Sequence, residues 1–291
     1  MPYIKVGQEN LNDIKIHYED HGTGNPVVFI HGFPFSGAAW EKQESVFLKE
    51  NYRVITYDRR GFGQSSQPSI GYNYDTLADD LQKLITELDL KDVTLVGHSM
   101  GTGEIVRYLG TFGSKRINRV VFIAPIAPFL LKTADNETGI DKSVFEGIKT
   151  EIMADRALFL SEFIKNFYHT EKNLGKPVSK EKTYMDFNVG ASASPIATLA
   201  CVSAWLTDFR RDIPKINIPS LVIQGDADKI LPIEATGSLL AKALNTRLVK
   251  IPDGPHGIPW THADVVNKEI LEFLRGENKK SDVKAEDIFI S

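Results

Sequence analysis

The chain has 291 residues, of which 42% are hydrophobic and 25% charged, and its formal net charge is -4. This composition is typical of a folded globular protein and excludes a disordered chain and a fibrous repeat. Because the net charge is negative and Lys and Arg are scattered along the chain, the sequence predicts no nucleic-acid-binding surface.

No segment has the pattern of a membrane span or a secretion signal. The longest apolar stretch, 120–131, contains Pro125 and Pro128 and is shorter than the roughly 20 residues that a spanning helix needs. The start, MPYIKVGQEN, lacks the charged-then-apolar order of a signal peptide. Cys201 is the single cysteine, which excludes an intrachain disulfide. We therefore expect a cytoplasmic protein with no membrane partner and with Cys201 buried.

Strand patterns occupy the first and last thirds of the chain. The early runs YIKVG and IKIHYED alternate in polarity, which is typical of an antiparallel hairpin at a sheet edge. Continuous apolar runs, typical of buried parallel strands, follow at 27–30, 52–58, 93–97, 119–125, 220–226 and 246–252. Helical patterns lie between them, as in 76–90, where leucines recur at helical spacing. The alternation predicts an α/β fold with a mostly parallel, eight-stranded sheet flanked by helices.

The middle of the chain has a different pattern. From about Pro128 to Arg211 no strand run appears, and the segments KSVFEGIKTEIM, RALFLSEFIKNFYH and ATLACVSAWLTDF are amphipathic at helical spacing. We expect a helical lid, inserted after the sixth strand and lying over the carboxyl edge of the sheet. The predicted core domain is then 1–127 with 212–291, and the cap is 128–211. The charged tail 277–287 is expected to be solvated.

The stretch GHSMGTGE at 97–104 lies where a strand ends and a helix begins. Phosphate binding is disfavoured, because Val106 stands where a dinucleotide loop needs a small residue and no Lys-Ser or Lys-Thr follows the glycines, as a P-loop requires. The letters GHSMG at 97–101 match G-x-S-x-G completely, which places a serine on a strained strand-to-helix turn. Ser99 is therefore the predicted nucleophile.

An activated serine needs a base and a carboxylate that orients the base. His256 lies in the loop PDGPHGIPW after the last strand run and is the predicted base. The loop after SLVIQGD offers Asp228, our preferred acid, and Asp226, the alternative, which we expect to bond its own loop in an Asx turn. The order Ser, Asp, His is that of α/β-hydrolases. The remaining histidines that we considered are expected to be structural, namely His17, His21, His31, His169 and His262.

An oxyanion hole needs backbone N–H groups beside the nucleophile. Met100 follows Ser99, and Phe33 lies in the loop after the strand VVFI. Pro34 has no N–H to donate, so the amides of Phe33 and Met100 are the predicted donors. A small apolar acyl pocket is expected beside them, and its candidate residues are Pro34, Phe159, Phe163, Trp205 and Ile230.

With these residues in place, the chain resembles the α/β-hydrolases, and within them the cofactor-free bacterial haloperoxidases, or perhydrolases, and the related aryl esterases. The matching stretches cover nearly the whole chain and are HGFPFSGAAWE, YDRRGFGQSSQP, GYNYDTLADDL, GHSMGTGEIVRYL, GDADKILP and PHGIPWTHADVVN. The resemblance places the triad on Ser99, Asp228 and His256. It also associates Pro34 with the use of peroxide. In DRRGFG we expect Asp58 and Arg59 to pair in a structural role.

The resemblance implies an enzyme that forms an acyl-enzyme from a small ester or carboxylic acid. Hydrogen peroxide then releases a peracid, which oxidises halide in solution, or water releases the acid. It implies no haem, vanadate, metal or other cofactor, and a homo-oligomer. Two alternatives stay open: a plain carboxylesterase or lactonase with incidental perhydrolysis, and a non-catalytic binding protein on the same fold. A haloalkane dehalogenase is disfavoured because its nucleophile is Asp and not Ser.

Overall fold

The structure is a computed structural model that describes residues 2–277. Most of the charged tail that we predicted to be solvated lies outside the described residues. Eight strands form one sheet in the order β1-β2-β4-β3-β5-β6-β7-β8. The strands are β1 (Tyr3–Glu9), β2 (Asn12–His21), β3 (Pro26–Ile30), β4 (Arg53–Tyr57), β5 (Val93–His98), β6 (Ile117–Ile123), β7 (Ser220–Gly225) and β8 (Arg247–Ile251).

The sheet is mostly parallel, as the sequence predicted. β1 pairs antiparallel with β2, and β2 pairs antiparallel with β4. All the remaining pairs, from β4 through β8, are parallel. The carboxyl ends of β3, β5, β7 and β8 therefore meet at one edge of the sheet, which is where ligands bind in open α/β folds.

Helices cover both faces of the sheet. They are α1 (Glu41–Lys49), α2 (Tyr74–Glu87), α3 (Met100–Phe112), α4 (Lys142–Ala154), α5 (Arg156–Tyr168), α6 (Thr170–Asn173), α7 (Lys180–Ser192), α8 (Pro195–Ala204), α9 (Gly237–Ala243), α10 (Ile258–Thr261) and α11 (Ala263–Arg275). Successive residues of one strand enter opposite cores, because strand side chains alternate in direction. On β3, Val28 and Ile30 pack in the cluster that includes α2 and α3. Val27 and Phe29 pack with α1 and α11.

Helices α4 to α8 form an insertion between β6 and β7, the position predicted for the lid. Among residues 2–277, no single helix is long and apolar enough to cross a membrane, although α7 and α8 pass that test as a pair bent by 93°. We did not predict α7. Its fully buried residues are Lys182, Asp186 and Gly190. The apolar residues that it packs against the core, Phe187, Val189 and Ala191, are only partly buried, so its inward side is mixed and gives no clear apolar periodicity.

The packing of β3 against α1 generates a stability prediction. Phe29 is fully buried, with its ring centroid 5.2 Å from that of Phe47 and 4.9 Å from that of Trp40. Phe29→Ala should lower the free energy of unfolding by about 3–5 kcal/mol, because it leaves a cavity between the sheet and the helix. Phe112→Ala is the matched control, since Phe112 is 39% exposed. Denaturant titration of both variants makes the measurement, and equal losses would contradict this account of the core.

Candidate active site

Ser99 lies in the sharp turn between β5 and α3. Its backbone has φ 52° and ψ -119°, a conformation that costs a non-glycine residue of the order of 1–3 kcal/mol. The turn requires close backbone contact, because a Cβ added at Gly101 would lie 2.4 Å from the carbonyl oxygen of Ile30. The absence of a side chain at Gly101 thus lets α3 approach β3. Ser99 lies at the carboxyl edge of the sheet.

His256 and Asp228 form a buried hydrogen-bonded pair. Nδ1 of His256 lies 2.7 Å from Oδ2 of Asp228, and neither side chain is exposed. The other carboxylate oxygen accepts hydrogen bonds from the N–H groups of Ile230 and Leu231, both at 2.9 Å. With Nδ1–H donated to the carboxylate, Nε2 of His256 is left as a proton acceptor. This atom is buried and has no hydrogen-bond partner among the described residues.

Asp226 has a different task from Asp228. Its Oδ1 accepts a hydrogen bond of 2.7 Å from the N–H of Asp253, so it joins the loop after β7 to the turn after β8. The expected Asx turn within its own loop is wrong. The side chain that bonds that loop is Asp228, through Ile230 and Leu231. The structure therefore brings Asp228, and not Asp226, to the imidazole.

A cavity of about 260 Å³ lies between the sheet edge and the insertion. Ser99 and Phe33 line it, together with four of the residues predicted for the pocket, Phe159, Phe163, Trp205 and Ile230. The cavity also has polar lining residues that no sequence pattern distinguishes, because each is a single polar side chain on a helix or loop; they are Glu151, Glu162, Asn166 and Lys229.

The placement of Pro34 in this pocket is wrong. Pro34 is buried but is not among the residues that line the cavity. It packs against α7, where a Cβ added at Gly190 would lie 3.1 Å from Cγ of Pro34. The chain turns at the Phe33–Pro34 bond, which is cis. The side chain of Phe33 lines the cavity, and the ring of Pro34 supports the loop from the side of the insertion.

The two predicted oxyanion donors border Ser99. Met100 is the first residue of α3, and the first N–H groups of a helix have no intrahelical acceptor. Phe33 follows β3, the strand that pairs with β5, and lines the same cavity as Ser99. The ring of Phe33 is held by T-shaped contacts with Trp205 at 5.0 Å and Phe163 at 5.5 Å. The arrangement can therefore offer two N–H groups to a charge that develops beside Ser99.

His98 is a second buried histidine that packs against the predicted base. Its Nε2 lies 3.0 Å from the carbonyl oxygen of His256, and the ring centroids are 4.9 Å apart. Because a carbonyl only accepts, Nε2 of His98 carries a proton and donates it. Burial, and then the neighbouring His256, lower the pKa of His98 to about 3. His98 is thus a neutral support for the backbone of His256, and nothing in the motif distinguishes it from a spacer residue.

The expected pairing of Asp58 with Arg59 is wrong. Arg59 forms a fully buried ion pair with Glu104 of α3, with Nε 2.9 Å from Oε2. The carboxylate of Asp58 accepts the N–H groups of Gly37 and Gln64, at 2.8 and 2.7 Å. The two side chains therefore reach different partners.

The insertion also contacts the loop that carries His256. The N–H of Gly257 donates to the carbonyl oxygen of Phe167 on α5 at 2.9 Å. The rings of Phe167 and His256 lie 5.2 Å apart, and Nε1 of Trp260 donates to the carbonyl oxygen of Pro177 at 3.1 Å. His256 is therefore fixed by both the core and the insertion.

Comparison with known proteins agrees with the fold. The family model described as the alpha/beta hydrolase fold matches residues 25–263, so the protein is of the α/β-hydrolase class. A protein of Synechocystis sp., provisionally named a non-haem chloroperoxidase, is 56% identical over 94% of this chain and 100% of its own length. A bromoperoxidase from Bacillus anthracis is 45% identical in sequence, and its crystal structure superposes on this one with a TM-score of 0.90. The match covers 94% of this chain and 99% of that chain.

A third relative has a broader activity in its name. The bifunctional esterase/perhydrolase of Acinetobacter calcoaceticus is 32% identical over 90% of this chain and 96% of its own length. Together with the chloroperoxidase and the bromoperoxidase above, this relative identifies a family within the α/β-hydrolases. The chain belongs to the non-haem haloperoxidase family of α/β-hydrolases, and it is an enzyme of that family.

The two aspartates after β7 provide a matched pair of variants. Asp228→Asn should lower kcat for an aryl ester by about 10⁴-fold, because an amide favours the wrong tautomer of the histidine. Asp226→Asn should retain most of the activity, since an amide oxygen can still accept the N–H of Asp253. Steady-state kinetics of both variants makes the comparison, and a larger loss in the Asp226 variant would contradict the assignment of the acid.

The low pKa of His98 has a consequence for stability in acid. The pKa of His98 in the folded protein is about 3, below the ordinary histidine value of about 6.5. As the pH falls from 6.5 towards 3, the unfolded chain therefore binds a proton that the native chain does not. Stability is fully present above pH 6.5 and falls by about 1.4 kcal/mol per pH unit below it for this residue. His98→Gln should remove that slope and keep a donor for the carbonyl of His256. Denaturant titrations across the acid range measure it, and an unchanged slope would show that His98 is not held neutral.

Proposed function

We propose that Ser99 forms an acyl-enzyme from a small ester or carboxylic acid and passes the acyl group to hydrogen peroxide or water. One observation carries this proposal: Nε2 of the buried His256 has no hydrogen-bond partner among the described residues, while its Nδ1 is held by Asp228. A base that is oriented on one side and free on the other, beside a cavity that contains Ser99, is suited to take the proton of the serine hydroxyl.

In the first half-reaction, Oγ of Ser99 attacks the acyl carbon while its proton moves to Nε2 of His256. The carboxylate of Asp228 stabilises the resulting imidazolium. The N–H groups of Phe33 and Met100 donate to the oxyanion, and each such donor is worth about 2.7–4 kcal/mol in the barrier. The tetrahedral intermediate then breaks down, and the leaving alcohol, or water when the substrate is a carboxylic acid, takes the proton from His256.

In the second half-reaction, His256 removes a proton from hydrogen peroxide or water, and the oxygen attacks the acyl carbon. The tetrahedral intermediate then expels Oγ of Ser99, which takes the proton back from His256, and the product is a peracid from peroxide or a carboxylic acid from water. The peracid then transfers its terminal oxygen, with the proton, to bromide or chloride and becomes the carboxylate, while the halide becomes the hypohalous acid. Haloperoxidase activity is therefore a solution reaction of the product, and the protein's own contribution is the acyl transfer.

The role of Pro34, the domain boundaries, the location and the oligomeric state are proposed from the sequence. Pro34, which the resemblance associates with peroxide use, packs against α7 beside the oxyanion loop, so we propose that it acts through the position of Phe33 and not by contact with substrate. The division into a core of 1–127 with 212–291 and a cap of 128–211, a cytoplasmic location and a homo-oligomeric state also stay proposals.

The test is bromination of a dimedone-type acceptor by the purified enzyme with peroxide and bromide. It is run in acetate and in a carboxylate-free buffer, with Ser99→Ala in each. We expect activity in acetate only and none in the variant, because acetate supplies the acyl group and Ser99 carries it.

The other outcomes point to the alternatives. No bromination in acetate, together with rapid cleavage of an aryl acetate, would indicate a plain carboxylesterase or lactonase. Failure of a phosphonate probe to label Ser99 would indicate a binding protein. Normal bromination by Ser99→Ala would exclude a shared nucleophile.

A further inference from the structure

The two oxyanion amides belong to peptide groups whose carbonyl oxygens each accept two hydrogen bonds. The N–H of Phe33 shares a peptide group with the carbonyl of Gly32, which lies 2.8 Å from Nδ1 of His31 and accepts the N–H of Phe35 at 3.1 Å. The N–H of Met100 shares a peptide group with the carbonyl of Ser99. That oxygen accepts both the N–H of Thr102, at 2.9 Å, and its hydroxyl, at 2.6 Å.

The direction of each side-chain bond is fixed by its second partner. Oγ1 of Thr102 accepts the N–H of Ile126 at 3.0 Å, so its own proton is available for the carbonyl of Ser99. Nε2 of His31 accepts the N–H of Arg59 at 3.0 Å. In a neutral imidazole the proton must then sit on Nδ1, which donates it to the carbonyl of Gly32. Burial, and next the guanidinium of Arg59, lower the pKa of His31 well below its ordinary value, which keeps the ring neutral.

These bonds act on the opposite side of each peptide from the oxyanion. A peptide group is planar and trans at both positions, so holding its carbonyl oxygen also sets the direction of its N–H. Hydrogen bonds in a chain polarise one another, by perhaps 10–30% per bond. A carbonyl that accepts a strong hydrogen bond therefore makes its own N–H a better donor.

We propose that His31 and Thr102 are positioning residues that orient and polarise the two oxyanion amides, those of Phe33 and Met100. The two side chains do the same task from different elements: each accepts a backbone N–H and donates its own proton to the carbonyl of an oxyanion peptide, His31 through two ring nitrogens and Thr102 through its hydroxyl. Both are buried and neither lines the cavity, so they act through the peptide groups and do not touch substrate. The inference rests on the proposed function, because it needs an oxyanion beside Ser99.

The buried ion pair of Arg59 and Glu104 joins the two halves. Nη2 of Arg59 donates to the carbonyl oxygen of His31 at 2.8 Å, while Nε pairs with Glu104 on α3. The hydroxyl of Tyr57 donates to the other oxygen of Glu104. The loop that carries Phe33 and the helix that begins at Met100 are thus held in one network, which fixes the relative position of the two donors.

The first experiment replaces Thr102 and measures two substrates. The readout is kcat/KM, which reports on acylation, for an aryl ester and for the matching thionoester, whose developing sulfur anion is a much weaker hydrogen-bond acceptor. Thr102→Val should lower kcat/KM for the oxygen ester by about threefold to tenfold, because one oxyanion donor is weakened. The thionoester should lose much less, so the ratio of the two rates falls. Thr102→Ser keeps the hydroxyl and should keep the ratio.

Thr198→Val is the matched control. Thr198 is also fully buried, and its N–H and hydroxyl both donate, at 2.9 Å, to the carbonyl of Ser194, the residue before α8. This variant loses the same kind of hydrogen bond at another helix start, without an oxyanion amide. It should lose stability and leave the rate ratio unchanged. A fall in the ratio in both valine variants would reduce Thr102 to a general structural role and overturn the proposal.

His31 is tested by two replacements that each imitate one of its nitrogens. The amide nitrogen of His31→Asn can take the place of Nδ1 and donate to Gly32. The amide oxygen of His31→Gln can take the place of Nε2 and accept from Arg59. We expect the Asn variant to retain more of the oxygen-ester rate and the wild-type ratio, since the bond to Gly32 is the one that acts on the oxyanion peptide. The reverse order would contradict the inference.

Measurements on the wild-type enzyme distinguish failure of the positioning role from failure of the proposed function. If wild type is not labelled by a phosphonate, or does not prefer the oxygen ester, the proposed acyl-enzyme mechanism fails. If wild type behaves as expected and Thr102→Val, labelled to the same extent, keeps the wild-type ratio, only the positioning role fails. If the Thr102→Val variant does not fold, the comparison of His31→Asn with His31→Gln tests the positioning role in its place.

Discussion

The site depends on one constraint, the backbone of Ser99 held at φ 52° and ψ -119°. This conformation is unfavourable for a side-chain-bearing residue, so the surrounding structure must stabilise it. The N–H of Ser99 bonds to the carbonyl of Ile123 on β6, and the contact of Gly101 with Ile30 brings α3 against β3. The turn is therefore clamped between the two strands that flank β5. Every other element of the site is placed relative to a serine whose position the sheet itself determines.

Parallel strands explain how distant residues converge on that turn. Asp228 and His256, the proposed acid and base, follow β7 and β8, which are neighbours in the sheet. Their loops are joined by the bond between Asp226 and Asp253. Phe33 follows β3, on the other side of β5. Because parallel strands end at the same edge of the sheet, the loops after β3, β5, β7 and β8 together form the site. The interior of the sheet contributes no residue to it.

Much of this arrangement could be predicted from the sequence, because strand runs, the G-x-S-x-G turn and the order of the triad are local patterns. What could not be predicted depends on contacts between residues far apart in the chain. The partner of Arg59 is Glu104, 45 positions away, and no local rule favours it over the adjacent Asp58. Helix α7 escaped prediction because Lys182 and Asp186 pair with each other in its buried face. Pro34 follows Phe33, which lines the cavity, and sequence alone therefore favours the same place for both residues. In the structure Pro34 packs against α7 instead.

The bond between Gly257 and Phe167 makes the insertion part of the support of the site. A lid that is independent of the reacting groups can open for substrate without disturbing them. Here α5 lines the cavity and also holds the loop of His256, so the cover of the cavity and the position of this imidazole depend on the same helix. A substitution in α5 can therefore change the shape of the cavity and the position of His256 together.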